Sequence, residues 1–329
     1  MWRNQWIAAV KTNLIVSNNT LDKINLVKSS SQIDNPLRDC HSRNGQLIDA
    51  EIARDRGFLY GDGVFTTMLY KNGQYFFQKE HWQRLVHDAH RLRIQPISLT
   101  TFCELPQNLF KNVSQQDFVV RTSLTRSEGR GYRGEIDSMP QIYCSLFPYS
   151  AWPEHLRVKV CHSRLSRNPQ LAGIKHLNRL EQILATQELD PCFDEGILMD
   201  TKGFVIEGTF SNLIWYANKQ FFSPKLDYAG VNGIAKVSLL KALRQKGHVI
   251  VESQFDLKEI VNCEALWMCN SVRGIKAVIS LENLSSAERC ECNTTEFQSR
   301  QFTEHHLTAM LKILWQELAS KEPEDFTDK

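Results

Sequence analysis

Four short segments of this chain set a reactive side chain or an open stretch of backbone beside glycine, and each suggests its own chemistry. Across residues 171–180, Lys175 stands between apolar neighbours at the expected mouth of a helix. Apolar surroundings disfavour an ammonium, so a lysine held there loses basicity and its free amine attacks carbonyls. Most lysines are solvated instead, and the segment alone leaves both readings open. Across residues 201–215, Glu207 closes a short strand before Gly208, Thr209 and Ser211, which puts its carboxylate either against a cleft or in an exposed turn. Residues 229–236 read as a glycine-containing loop opening a helix, where unpaired N–H groups at the positive end of the dipole suit a phosphate. Residues 56–67 carry Gly57, Gly61 and Gly63 ahead of an apolar run. That spacing fits a tight turn into a strand, as a plain hairpin or as a device that presents side chains to a cleft.

The elements that must position these segments follow from periodicity and turn chemistry. Strands are expected near 64–70 and 74–77 around Asn72-Gly73, a hairpin dipeptide. Trp82, Leu85, Ala89 and Leu92 recur at helical spacing and predict an amphipathic helix over 80–92. Two β-branched and aromatic runs predict strands over 118–124 and 141–146. Pro148 and Pro153 bracket a short segment that reads as a domain boundary. Beyond it the pattern predicts a strand at 157–163, a helix at 176–189, strands at 195–200, 204–206, 212–216 and 220–222, and a helix at 234–246. Strands at 266–269 and 277–279 and a terminal helix over 304–318 complete it. The expected organisation is α+β, with an N-terminal extension over 1–41, a small domain over 42–148 and a larger one over 154–329.

Composition narrows the function. A formal net charge of +2 over 329 residues gives no electrostatic basis for binding nucleic acid. The N-terminal stretch is broken by Arg3, Asn4, Gln5, Lys11 and Asn13, so no signal peptide is expected, and no run of about 18 apolar residues predicts a membrane span. The cytoplasm is the expected location, and the asparagine sequons at Asn18 and Asn293 read as chance. Nine cysteines at irregular spacing argue against a disulfide framework. Cys290 and Cys292 stand too close for a structural zinc pair, and no metal is expected at His81, His87 and His90 either.

Taken in order, FLYGDGVFTT, the arginine-bearing helix, GIKHLNR, EGTFSN and VNGIAK resemble the fold-type IV pyridoxal-phosphate enzymes. That group contains branched-chain and D-amino-acid aminotransferases and aminodeoxychorismate lyase, and the resemblance spans about residues 43–280. It implies a small α/β sandwich and a larger pseudo-barrel domain, arranged as a homodimer with the site near the domain cleft. It further implies that Lys175 carries pyridoxal 5'-phosphate through its ε-amine and that Glu207 pairs with the pyridine nitrogen. Arg84 and the N–H groups of Ile234 and Ala235 would hold the phosphate, with Val231 against the ring and Ser271 as a further donor. The stretch 167–182, Gly129-Arg130-Gly131-Tyr132 and residues 230–234 are similar to the lyase of the group. Aminotransferases of the group commonly place an acid after the GDG turn, where this chain has Phe65-Thr66-Thr67. The implied reaction is conversion of 4-amino-4-deoxychorismate to p-aminobenzoate and pyruvate, with Lys175 as base and Lys175 or Thr66 as acid. Arg130, Tyr132 and Arg273 are the expected carboxylate-binding candidates. Ala235-Lys236 and Ser223 depart from the group's usual Thr-Arg and threonine, which removes side-chain donors near the phosphate. The alternatives are a D-amino-acid or branched-chain aminotransferase and a cofactor-free binding module.

Overall fold

The computed structural model describes residues 40–43, 46–47, 55–110, 117–127, 131–135, 139–283 and 298–320. The expected extension, apart from its last two residues, the paired cysteines at 290 and 292, both sequons and Arg130 lie outside these residues. The chain builds two sheets in sequence. The first uses β1 (Cys40–Arg43), β2 (Gln46–Leu47), β3 (Gly63–Lys71), β4 (Gln74–Tyr75), β5 (Phe118–Thr125) and β6 (Gln141–Pro148), in the antiparallel order β2-β1-β6-β5-β3-β4. A short helix α1 (Arg56–Tyr60) precedes β3, and α2 (Gln78–Arg91), α3 (Leu99–Glu104) and α4 (Gln107–Phe110) lie between β4 and β5. Leu85 and Ala89 of α2 pack with Val64 and Met68 of β3 and with Val120, Leu124 and Leu146. That contact is the apolar stripe read from the sequence.

The second sheet begins after Pro153. It contains β7 (His155–Leu165), β8 (Glu195–Asp200), β9 (Val205–Gly208), β10 (Asn212–Ala217), β11 (Gln220–Pro224), β12 (Ile250–Ser253), β13 (Ala265–Asn270), β14 (Gly274–Glu282) and β15 (Ser299–Gln301). The order is β12-β11-β10-β13-β14-β7-β8-β9, with β15 on β14, and the pairs β11–β12, β14–β7 and β7–β8 are parallel. Helices α5 (Leu180–Gln187), α6 (Ile234–Gln245), α7 (Leu257–Val261) and α8 (Leu307–Ala319) accompany it. Alternation in β13 explains why both faces are covered. Trp267 and Cys269 join Leu239, Leu243, Leu311 and Trp315 of α6 and α8 on one side. Leu266 and Met268 join Val158, Ile197, Leu213 and Trp215 on the other. No described helix is long and apolar enough to cross a membrane.

Two local expectations change. Residues 56–60 are helical rather than a bare turn, because Asp55 caps Gly57 and Phe58 and Gly61, at φ 65°, ends the turn in the left-handed region. The helix expected from 176 starts at Leu180, because His176 bridges Val64 and the Leu177 N–H bonds the Gly63 carbonyl at 2.9 Å. Extended pairing to β3 has taken backbone groups that the helix would have used.

Candidate active site

The loop before α5 carries Lys175 into a cavity of about 500 Å³. Its carbonyl accepts the Phe65 N–H of β3 at 2.9 Å, and its own N–H donates to Asp88 Oδ2 of α2 at 2.9 Å. The ammonium lies 4.7 Å from the centroid of the Phe65 ring. Burial pushes the amine down to about 7, helped by the Arg84, Arg179 and Arg121 charges and opposed by Glu207. At neutral pH a large fraction of Lys175 is therefore the free nucleophilic amine.

Glu207, on β9, is buried. Its Oε2 accepts the Val231 N–H at 2.7 Å and its Oε1 accepts Gln182 Nε2 at 3.2 Å. Burial raises its pKa, while the Val231 N–H, Arg179, Gln182 and Lys175 pull the other way. Gly230, at φ 83°, makes the Val231 contact possible: a Cβ there would sit 2.6 Å from Ile206 Cγ2. Below Glu207, the buried Glu195 of β8 accepts the Thr209 N–H at 2.9 Å and the Ser211 hydroxyl at 2.8 Å, which ties down the turn after β9.

At the opposite end, Gly233 begins α6 with no capping side chain, so the first N–H groups of the helix, those of Ile234 and Ala235 among them, have no helical partner. A Cβ on Gly233 would fall 1.9 Å from Asn212 Oδ1, whose own amide donates to the Val231 carbonyl at 2.9 Å. Arg84 of α2 lines the same cavity. Its Nε is buried with no partner among the described residues. Burial lowers its guanidinium only to about 10, so it stays charged at neutral pH. A cationic fork beside free helix N–H groups fits a phosphate. Ser271 lines the cavity nearby, with its hydroxyl on the Thr67 carbonyl at 3.3 Å.

Two of the expected residues lie elsewhere. Thr66 is fully buried and absent from the cavity wall, because β3 alternates and turns Phe65 and Thr67 to the cavity instead. The Thr66 hydroxyl accepts Arg84 Nη2 at 2.6 Å and lies 2.6 Å from His81 Nδ1. Burial, and then the Arg84 and Lys175 charges, push the His81 pKa well below the usual range. Thr66 thus lies behind Arg84, outside the cavity. Tyr132 is 92% exposed and packs edge-on to Tyr60, lining a separate pocket with Arg56 and Arg126. Ala235 is buried, and its N–H is among the free ones at the start of α6. Arg273 does line the cavity, over the rings of Phe210 and Trp152 at 4.9 and 5.8 Å.

Arg121, Arg179 and Asp88 were not singled out by the sequence. Arg121 faces Thr67 across the β3–β5 ladder and stacks 4.0 Å over Phe65, with burial lowering its pKa. Arg179 lies within the lysine segment itself; its Nε donates to the His176 carbonyl at 3.0 Å, and burial lowers its pKa against the nearby Glu207, Glu181 and Asp88 charges. Among the described residues, the cavity wall therefore carries Arg84, Arg121, Arg179, Arg273 and Lys175 against one acid, Glu207. A chamber so charged favours ligands bearing several negative groups.

Residues 63–281 match the family described as Amino-transferase class IV. The chain belongs to that family. It is 32% identical over 238 residues to the aminodeoxychorismate lyase of Vibrio harveyi, covering 68% of this chain and 84% of that one. It is 27% identical over 249 residues to a putative branched-chain-amino-acid aminotransferase of Methanocaldococcus jannaschii, covering 73% of this chain and 86% of that one. The crystal structure of 4-amino-4-deoxychorismate lyase from Pseudomonas aeruginosa superposes with a TM-score of 0.72 at 30% identity, covering 84% of this chain and 98% of the other. The fold is thus that of the fold-type IV enzymes, as the order of motifs implied. Within this class IV protein, the lysine, the carboxylate and the open helix end all border one cavity.

Proposed function

We propose that this class IV protein is an aminodeoxychorismate lyase that uses pyridoxal 5'-phosphate to convert 4-amino-4-deoxychorismate into p-aminobenzoate and pyruvate. The observation that carries this reading is the charge of the cavity, four arginines and Lys175 against Glu207. The open end of α6 and Arg84 account for one phosphate. Arg179 lies within electrostatic reach of Glu207. Arg121 and Arg273 remain, and the proposed substrate has two carboxylates to offer them. An aminotransferase for alanine or branched-chain amino acids also needs an apolar wall for the amino-acid side chain.

Pyridoxal phosphate, when bound, supplies a ring that draws electrons away from the substrate carbon bearing nitrogen. The chain's own groups do the rest. Glu207 would hold a proton on the ring nitrogen of the bound cofactor. The amine of Lys175 would remove the proton from that carbon. The same amine carries the proton to the departing enolpyruvyl oxygen on the adjacent carbon, and loss of that C–O bond leaves an aromatic ring. The enol takes up a proton to become pyruvate. On β3, Thr67 rather than Thr66 faces this space.

We further place the enzyme in the cytoplasm as a homodimer. The free thiols of Cys103, Cys144, Cys161, Cys192, Cys263 and Cys269 suit a reducing compartment. Leu180, Ile183 and Leu184 expose one face of α5 beside the cavity mouth, and a second copy over this face would shield both. Purified protein given aminodeoxychorismate should release p-aminobenzoate and pyruvate in equal amounts. Transfer of an amine from an amino acid to 2-oxoglutarate, with no p-aminobenzoate formed, would overturn the reading in favour of an aminotransferase.

A further inference from the structure

A lysine that would hold a cofactor and also move a proton needs a main chain that stays still while its side chain swings. Two bonds hold that main chain. The carbonyl is fixed by the Phe65 N–H of β3, and the N–H is fixed by a side chain, Asp88 Oδ2, at 2.9 Å. Asp88 is only 1% exposed. Its other oxygen lies 3.0 Å from His87 Nδ1, at the edge of a second pocket that shares Arg84 with the main cavity. A buried carboxylate is costly unless it is matched, and here it also offsets the Arg84 and Arg179 charges.

The spacing adds a second constraint. Arg84 and Asp88 are four residues apart on α2, so they project from one face, one above the other. One residue serves the phosphate end and the other serves the lysine backbone. A single rigid helical turn thereby sets the separation between the two points at which the cofactor would be held.

We propose that Asp88 is a positioning residue for Lys175, acting as the acceptor that locks the lysine's backbone amide one helical turn from the phosphate-binding arginine. The inference rests on Lys175 being the reactive amine. The test uses the full-length protein as holoenzyme and, after cofactor removal, as apoprotein. It compares Asp88→Asn, which keeps an oxygen acceptor, with Asp88→Ala, which does not. Asp88→Leu, close in size and apolar, replaces the alanine variant if that one fails to fold.

A displacement of about 1 Å at a reacting group costs up to about 100-fold in rate. Asp88→Ala or Asp88→Leu should therefore lose about 10- to 100-fold in kcat, with KM and pyridoxal phosphate affinity changed less than about threefold. The rate at which pyridoxal phosphate attaches covalently to Lys175 in the apoprotein should fall in parallel. Asp88→Asn should stay within about twofold of wild type in both rates. Wild-type rates in the apolar variants would overturn the inference, as would an Asn variant as impaired as they are. Label on a lysine other than Lys175 in the wild type would instead sink the functional reading, so the two failures are separable.

Discussion

Replacing Glu207 by Gln tests the polar heart of the site with little change of shape. Gln keeps the volume of Glu and an oxygen for the Val231 N–H now bonded at 2.7 Å. Gln182, at 3.2 Å, can rotate its amide to offer oxygen instead of nitrogen to the new NH₂. The fold should therefore lose no more than about 1 kcal/mol. Catalysis should suffer more, because a neutral amide does not hold a proton on the ring nitrogen. Glu207 is 4% exposed, so water does not screen that charge. A hydrogen bond to a charged group is worth about 1.5–3 kcal/mol, which converts to about 10- to 150-fold in kcat. Steady-state kcat under saturating cofactor, the melting temperature, and the isotope effect from deuterium on the amine-bearing carbon together read the outcome. We expect a normal melting temperature, a reduced kcat and a larger isotope effect. An unchanged kcat with full cofactor occupancy would remove Glu207 from the mechanism, and a slowed enzyme without a larger isotope effect would move its role away from proton abstraction.

Other predictions follow from the same geometry. Arg84→Ala should weaken pyridoxal 5'-phosphate binding by about tenfold or more yet leave binding of phosphate-free pyridoxal unchanged, measured by fluorescence titration of the apoprotein. Equal losses for both ligands would place Arg84 away from the phosphate. Thr66→Val should also weaken cofactor binding but keep kcat within about threefold at saturating cofactor, since its hydroxyl bonds Arg84 at 2.6 Å and does not border the cavity. A much larger fall in kcat would restore Thr66 as an acid. In the apoprotein, the reactivity of Lys175 should rise with pH through a midpoint of about 7, because only the neutral amine attacks and burial disfavours its charged form. Glu207→Gln should move that midpoint lower, since Glu207 is the group that raises it. A midpoint near 10, followed by peptide mass mapping, would show that Lys175 is solvated.

Much of the fold was legible because its elements carry strong periods. The stripe of Trp82, Leu85, Ala89 and Leu92 announced α2, and the apolar runs announced β5, β6 and β13 to within about two residues. The site was legible only through the order of its motifs. One lysine among apolar neighbours does not announce itself, and neither does one glutamate at a strand end. Thr66 was misread for a physical reason. Residues on both faces of β3 are buried, so the period-two signal that would tell Thr66 from Thr67 is missing. Arg121 depends on the register that sets it opposite Thr67, and Asp88 on a contact with a loop 87 residues away. Neither relation leaves a local trace. The late start of α5 came from bridges to β3 that helix periodicity cannot report.

The account depends most on the ε-amine of Lys175. Protein isolated with its cofactor, reduced with borohydride, digested and mapped by mass spectrometry should carry the pyridoxyl mass on the peptide containing Lys175. Label on a different lysine, or none on a protein that still makes p-aminobenzoate, would contradict it.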